Sequence, residues 1–273
     1  MERIFNTITL HLFSLKNFQD YVLANGVINT INQFGKDFIP QVFDYYEPLK
    51  RKYNEGDSQS VAHLWVNDEA NKVAFKNEFA GSHIIMQKKK GHKVEYSINW
   101  RKDNTITFNT ISITIELAYF KTGRELEEFL NLCKELSVII EPVYGMIQNE
   151  SFPGWAEPIN LTRRLPNTTW MTIFGKLYIE MFGKAKLLNT PCYKVNEISD
   201  SLIFMQSTES VFEPIPEDVK TKIKYHLGEE SFVWDGKDYR SYKDGKTPNF
   251  DYSEVLFDKT KPIITPQVKT RQK

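Results

Sequence analysis

The chain has 273 residues, 41% hydrophobic and 14% aromatic, enough to bury a large core in one domain or two. Its 35 Lys and Arg cancel its 35 Asp and Glu, so no whole-protein field draws nucleic acid or an anionic membrane, and charged recognition has to be local. Cys133 and Cys192 lie far apart and outside any CxxC or Cys/His cluster, which argues against a disulfide scaffold, and no apolar run approaches the length of a spanning helix.

Met1-Glu2-Arg3 leads directly into alternation, so no signal peptide is read and a cytoplasmic address is expected. Ile4, Ile8, Leu10 and Leu12 alternate with Thr7, Thr9 and His11, giving a first strand with one buried face. Phe18, Tyr21, Val22, Asn25 and Ile28 follow at helical spacing, and Gly35 closes that segment. Gln41 to Tyr46 reads as a short strand ending at Glu47-Pro48, where proline holds its predecessor extended.

Ile84 to Gln87, the turn Lys90-Gly91-His92, and a strand alternating Val94, Tyr96, Ile98 and Trp100 with polar residues predict an antiparallel meander. Thr105 to Tyr119 continues it. Ile106 and Phe108 take one parity there and Ile111, Ile113, Ile115 and Leu117 the other, which predicts a bulge at Asn109-Thr110. Gly123 to Ser137 reads as a helix with Leu126, Phe129, Leu130 and Cys133 inward, followed by Pro142-Val143-Tyr144-Gly145. Strand, helix, proline and aromatic strand thus occur twice, which suggests a degenerate duplication.

Residues 149 to 167 form a long proline-punctuated loop. Trp170, Ile173, Phe174, Leu177, Tyr178 and Met181 then recur at helical spacing, predicting one helix over 170–181 that stops at Gly183. Gly175 would interrupt it, as a glycine kept for close packing of a neighbouring backbone. Tyr193 to Ile198 and Leu202 to Gln206 predict a hairpin, and Pro216 to Leu227 a short helix stopped by Gly228. The expected architecture is α+β: mainly antiparallel sheet with helices packed on one face, built from two related strand-helix-strand units. It would form one globular domain over 1–258, with closely packed halves at 1–104 and 105–258. Residues 259–273, with five Lys/Arg, would form a basic flexible tail.

Chemistry-bearing motifs are scarce. His11, His63, His83, His92 and His226 are scattered without metal-ligand spacing, and no GxSxG, Walker loop or GxGxxG occurs. No catalytic residue, cofactor or metal is expected, although an enzyme site assembled across the two halves, with His11 or His83 beside a carboxylate, stays open. Lys88-Lys89-Lys90 with Lys93 could touch phosphates. Such a run also keeps a hairpin tip soluble, and the neutral charge argues against nucleic acid as the main partner. Trp155, Arg163 and Arg164 are the candidate partner-binding residues, because Trp and Arg dominate protein interfaces and these lie in the long loop.

The stretch from Tyr144-Gly145 through this loop to Trp170, Gly175, Tyr178, Gly183 and Leu202-Ile203-Phe204-Met205 resembles bacterial immunity proteins of polymorphic toxin systems. The likeness is to the immunity protein 52 family and its type VI immunity relatives, and it lies mostly within residues 140–210. The resemblance implies a cytoplasmic protein that binds and blocks a cognate toxin protein domain, without catalysis and without a membrane.

Overall fold

In the computed structural model, which describes residues 6–54, 58–67, 81–101, 107–152, 159–234, 244–253 and 255, alternating sequence becomes sheet wherever one parity meets a helix. The elements of the first half are β1 (Thr7–Ser14), α1 (Tyr21–Gln33), β2 (Val42–Asp44), β3 (Arg51–Lys52), α2 (Ser58–Val66), β4 (Gly81–Lys88) and β5 (Val94–Arg101). Those of the second are β6 (Asn109–Glu116), α3 (Gly123–Ile140), β7 (Tyr144–Asn149), β8 (Met171–Gly175), α4 (Lys176–Phe182), α5 (Lys184–Leu188), β9 (Lys194–Ser199), β10 (Leu202–Gln206) and α6 (Glu217–Leu227). The strands form one ten-stranded sheet in the order β3-β2-β4-β5-β6-β1-β7-β8-β10-β9. Every neighbouring pair in it is antiparallel. The fold is α+β with helices packed against a large antiparallel sheet. The N-terminal strand β1 lies between β6 and β7 and pairs with both.

Two cores sit on opposite faces. Leu10 and Leu12, Ile111, Ile113 and Ile115, and Tyr96 and Ile98 meet α1, α2 and α3 on one face. On the other, Tyr144, Met146, Phe174, Ile203 and Met205 meet α4, α5 and α6. Neighbouring residues in the shared strands alternate between the two: Ile173 belongs to the first core and Phe174 to the second.

Helix ends follow local chemistry. Asp20 caps α1 by accepting from Leu23 N at 2.8 Å, and Thr122 with Glu125 forms a capping box at α3. Cys133 is fully buried on the inner face of α3 beside Phe129 and Leu136, where it acts as a small apolar residue; burial pushes its thiol well above the ordinary range.

Three expectations need correction. Residues 170–181 are not one helix: Met171–Gly175 is strand β8, buried throughout, and the helix starts only at Lys176. A strand covered on both faces carries apolar residues on both parities, and here their spacing imitates the helical period. No bulge lies at Asn109-Thr110 in the pairing with β1 or β5. The register runs unbroken from Asn109, and Phe108 simply lies on the Thr110 and Ser112 face, where it packs into the second core against Phe13 and Phe250. The helices α2 and α5 have no counterpart in the expected elements. Ile4, Ile106, Trp155 and the tail 259–273 lie outside the described residues.

Candidate functional site

The residues that suggested a family signature are packing residues. Trp170 is buried and its Nε1 donates to the Thr208 carbonyl at 3.0 Å, tying the start of β8 to the segment after β10. Tyr178 is enclosed by the rings of Tyr144, Phe174 and Phe182. Gly175 lets its backbone pass against the Pro142 carbonyl, a contact that any Cβ would block. Gly183, at φ 90°, ends α4 with its N–H on the Ile179 carbonyl at 2.9 Å.

Of the three residues singled out in the long loop, Trp155 lies outside the described residues. Arg163 Nε donates to Asp244 Oδ1 at 2.6 Å and Arg164 NH1 to the Phe232 carbonyl at 3.1 Å. Leu165 joins Phe232 in an isolated parallel bridge. Both arginines therefore engage the chain's own C-terminal segment. The ends of the loop converge around a recess of about 80 Å³ lined by Gln148, Asn149, Phe152, Thr168, Trp170 and Ile215.

The second feature is a sheet surface. Over β4, β5, β6 and β1 the side chains facing away from α1 and α3 are Gln87, Glu95, Thr114 and Thr9 in one row. Ile85, Ser97, Ser112 and His11 stand in the next, and His83, Asn99, Thr110 and Phe13 in a third. Amide and hydroxyl groups dominate it, and no helix covers it among the described residues. His11 Nδ1 lies 2.7 Å from Ser112 Oγ, and its Nε2 is 3.9 Å from Glu150 Oε1, a carboxylate whose side chain is only 9% exposed. Sequence spacing concealed this trio, because its members come from β1, β6 and the turn after β7.

A Ser-His-Glu trio invites comparison with a nucleophile and its base. Acyl transfer also needs free backbone donors for the oxyanion. Ser112 lies inside β6, which is paired on both sides by β1 and β5, so the surrounding backbone amides serve the ladder. The Nε2 to Glu150 separation also exceeds hydrogen-bonding range.

The lysine hairpin is largely engaged by its own turn. Lys88 is buried and its Nζ donates to the carbonyls of Lys90 (2.6 Å) and His92 (3.4 Å). Lys93 pairs with Glu116 at 3.6 Å. Lys89 and Lys90 remain exposed, with their amides on Gln41 Oε1. His83 is half-buried with its ring against Tyr46, and burial lowers its pKa.

Among the described residues no group of three or more His, Cys, Asp or Glu is arranged to hold a metal ion, and no helix is long and apolar enough to cross a membrane.

No family model matches the chain, and no curated protein matches it. Among solved structures it is similar to the Pseudomonas aeruginosa T6SS protein PA0821, a distant neighbour at 12% identity. The match covers 81% of this chain and 75% of that one, with a TM-score of 0.48.

Proposed function

We propose that this chain is a cytoplasmic, non-catalytic immunity protein that binds a cognate bacterial toxin domain and neutralises it by occlusion. The observation that carries the reading is the polar face of β4, β5 and β6, where hydroxyl and amide groups stand in rows on the sheet with Glu95 and Asn99 exposed among them. Such a face suits a protein partner held by shape and dispersed hydrogen bonds. The neutral net charge fits that better than mimicry of nucleic acid. The resemblance carried by Tyr144, Gly145, Trp170 and Gly175 supports the same reading, with those residues building the scaffold and leaving contact to the surface. Trp155, Arg163 and Arg164 are proposed as contributors from the long loop.

The test is co-expression with the candidate toxin from the adjacent gene. The wild-type chain should co-purify with it and restore growth, and paired Ser97→Arg and Thr110→Arg substitutions should break both effects without unfolding the protein. A wild-type chain that neither binds nor rescues sinks the reading.

The His11–Ser112 contact favours one second reading, a hydrolase whose site spans the two halves. Turnover of a chromogenic ester that disappears in Ser112→Ala would establish it; equal background rates would dispose of it.

A further inference from the structure

Arg163, one of the residues proposed to meet the partner, is engaged by the chain itself. Residues 244–250 run as a strap against the long loop, in neither helix nor strand. Asp244 Oδ1 accepts from Arg163 Nε at 2.6 Å, Gly245 N donates to the Arg163 carbonyl at 2.9 Å, and Thr247 Oγ1 reaches the Thr162 carbonyl at 3.5 Å. Gly245 fits closely there, because a Cβ would collide with the Glu230 carbonyl oxygen and lie 2.8 Å from Arg164 Cγ. Farther on, Phe250 sets its ring edge-on to Phe108 with centroids 5.0 Å apart.

The strap and the loop beneath it differ in how firmly they are held. Leu165, next to the arginines, is fully buried and tied by backbone hydrogen bonds to Ser231 and Val233, whereas no residue from 244 to 253 is fully buried. A segment with few buried contacts and no hydrogen-bond ladder of its own opens at lower free energy than the sheet beside it. Its charged hold on Arg163 is an ion pair whose carboxylate is 78% exposed, and such pairs are screened and readily exchanged. A carboxylate from another chain offers the Arg163 guanidinium the same interaction.

We propose that residues 244–250 form an autoinhibitory clasp: Asp244 holds the position on Arg163 that an acidic side chain of the partner takes, and docking of an acidic segment displaces the strap. Arg164 keeps its place through the change, because its NH1 donates to the Phe232 carbonyl, outside the strap. This rests on the toxin-binding reading and adds to it the charge of one contact and a regulated step. A site that stands open only part of the time binds more weakly by that fraction, so opening the clasp beforehand tightens binding.

The test uses two variants of the full chain. Asp244→Ala removes the competing carboxylate, and Gly245→Ala forces the strap away from Glu230. Phenylglyoxal, which reacts with accessible guanidinium groups, reports the clasp without any toxin. Labelling of Arg163, read by peptide mass spectrometry against the exposed Arg124, should rise about tenfold in both variants, and amide exchange across 244–250 should quicken in Gly245→Ala while β1, β6 and β7 stay protected. Capture of the co-expressed candidate toxin should tighten about tenfold in both. Equal Arg163 labelling in wild type and variants, opening that occurs only together with exchange across β6 and β7, or weaker toxin capture on opening would overturn the clasp. The two ideas fail separately. Labelling that rises in a chain that neither binds nor rescues upholds the clasp and removes the toxin reading, while toxin capture unchanged by opening keeps that reading and removes the autoinhibition.

Discussion

The carbonyl oxygen of Pro142 stands where a Cβ on Gly175 would have to be. The turn out of α3 and the exit of β8 are thereby locked backbone to backbone, with Gly175 N donating to Val143 O at 3.0 Å. Gly175→Ala is expected to destabilise the protein by about 3 kcal/mol, because backbone on both sides leaves no cheap relaxation. Gly145→Ala meets Leu12 Cδ2 at 2.7 Å, the His11 carbonyl at 3.1 Å and Ile173 Cβ at 3.2 Å, a milder clash than at Gly175, and should cost about 2 kcal/mol. Urea denaturation midpoints of the two variants check both the sign and the order.

Trp170→Phe should cost about 2 kcal/mol. The substitution removes the indole donor from the Thr208 carbonyl and part of a ring that is 3% exposed, so a lost hydrogen bond adds to a small cavity. Thermal unfolding of the variant measures it.

The two thiols should differ sharply in reactivity. Cys192 is half-buried and Cys133 fully buried, and burial raises both thiols above their ordinary range. A native sample treated with an aromatic disulfide near neutral pH should release one equivalent slowly, from Cys192, and the second only with denaturant. Rapid release of two equivalents from the native protein would contradict this packing.

Stability should fall as pH drops below 6.5, the ordinary histidine value. Burial lowers the pKa of His83 and of His92, so the unfolded chain binds protons first; the stabilisation is complete above 6.5 and is lost as pH falls toward the folded values. Urea midpoints compared at about pH 7.5 and about pH 5.5, above most carboxylate titration, should show the loss. The His83→Gln, His92→Gln double variant should flatten it.

Arg163→Ala should cost about 1 kcal/mol: the pair with the 78% exposed Asp244 carboxylate is screened, and the loss comes mainly from the packing of an arginine side chain that is only 31% exposed. Any larger loss in toxin rescue would then be a contact effect, separable by measuring rescue and urea midpoint on the same variant.

Elements with one exposed face were legible in the sequence. The alternation of Val94 to Trp100 and the Ser199-Asp200 hairpin appear as expected, and Pro216 and Gly228 bracket α6. Legibility failed where burial is two-sided. Met171 to Gly175 carries no polar parity, so its apolar spacing was indistinguishable from a helix, and Phe108 suggested a bulge only because the second core behind it was invisible. The close approach behind Gly175 was anticipated, though its partner was not. Sites assembled from several elements were out of reach: His11, Ser112 and Glu150 come from distant positions that share no local pattern.

The place of β1 between β6 and β7 carries a consequence for synthesis. Residues 7–14 leave the ribosome ahead of both their strand partners, which lie at 109–116 and 144–149. The middle of the sheet cannot close until residue 149 has emerged, so β1 must travel exposed with Ile8, Leu10 and Leu12 unburied. Its nucleus is therefore long-range, which predicts slow refolding for a protein of this size and a need for shielding during translation.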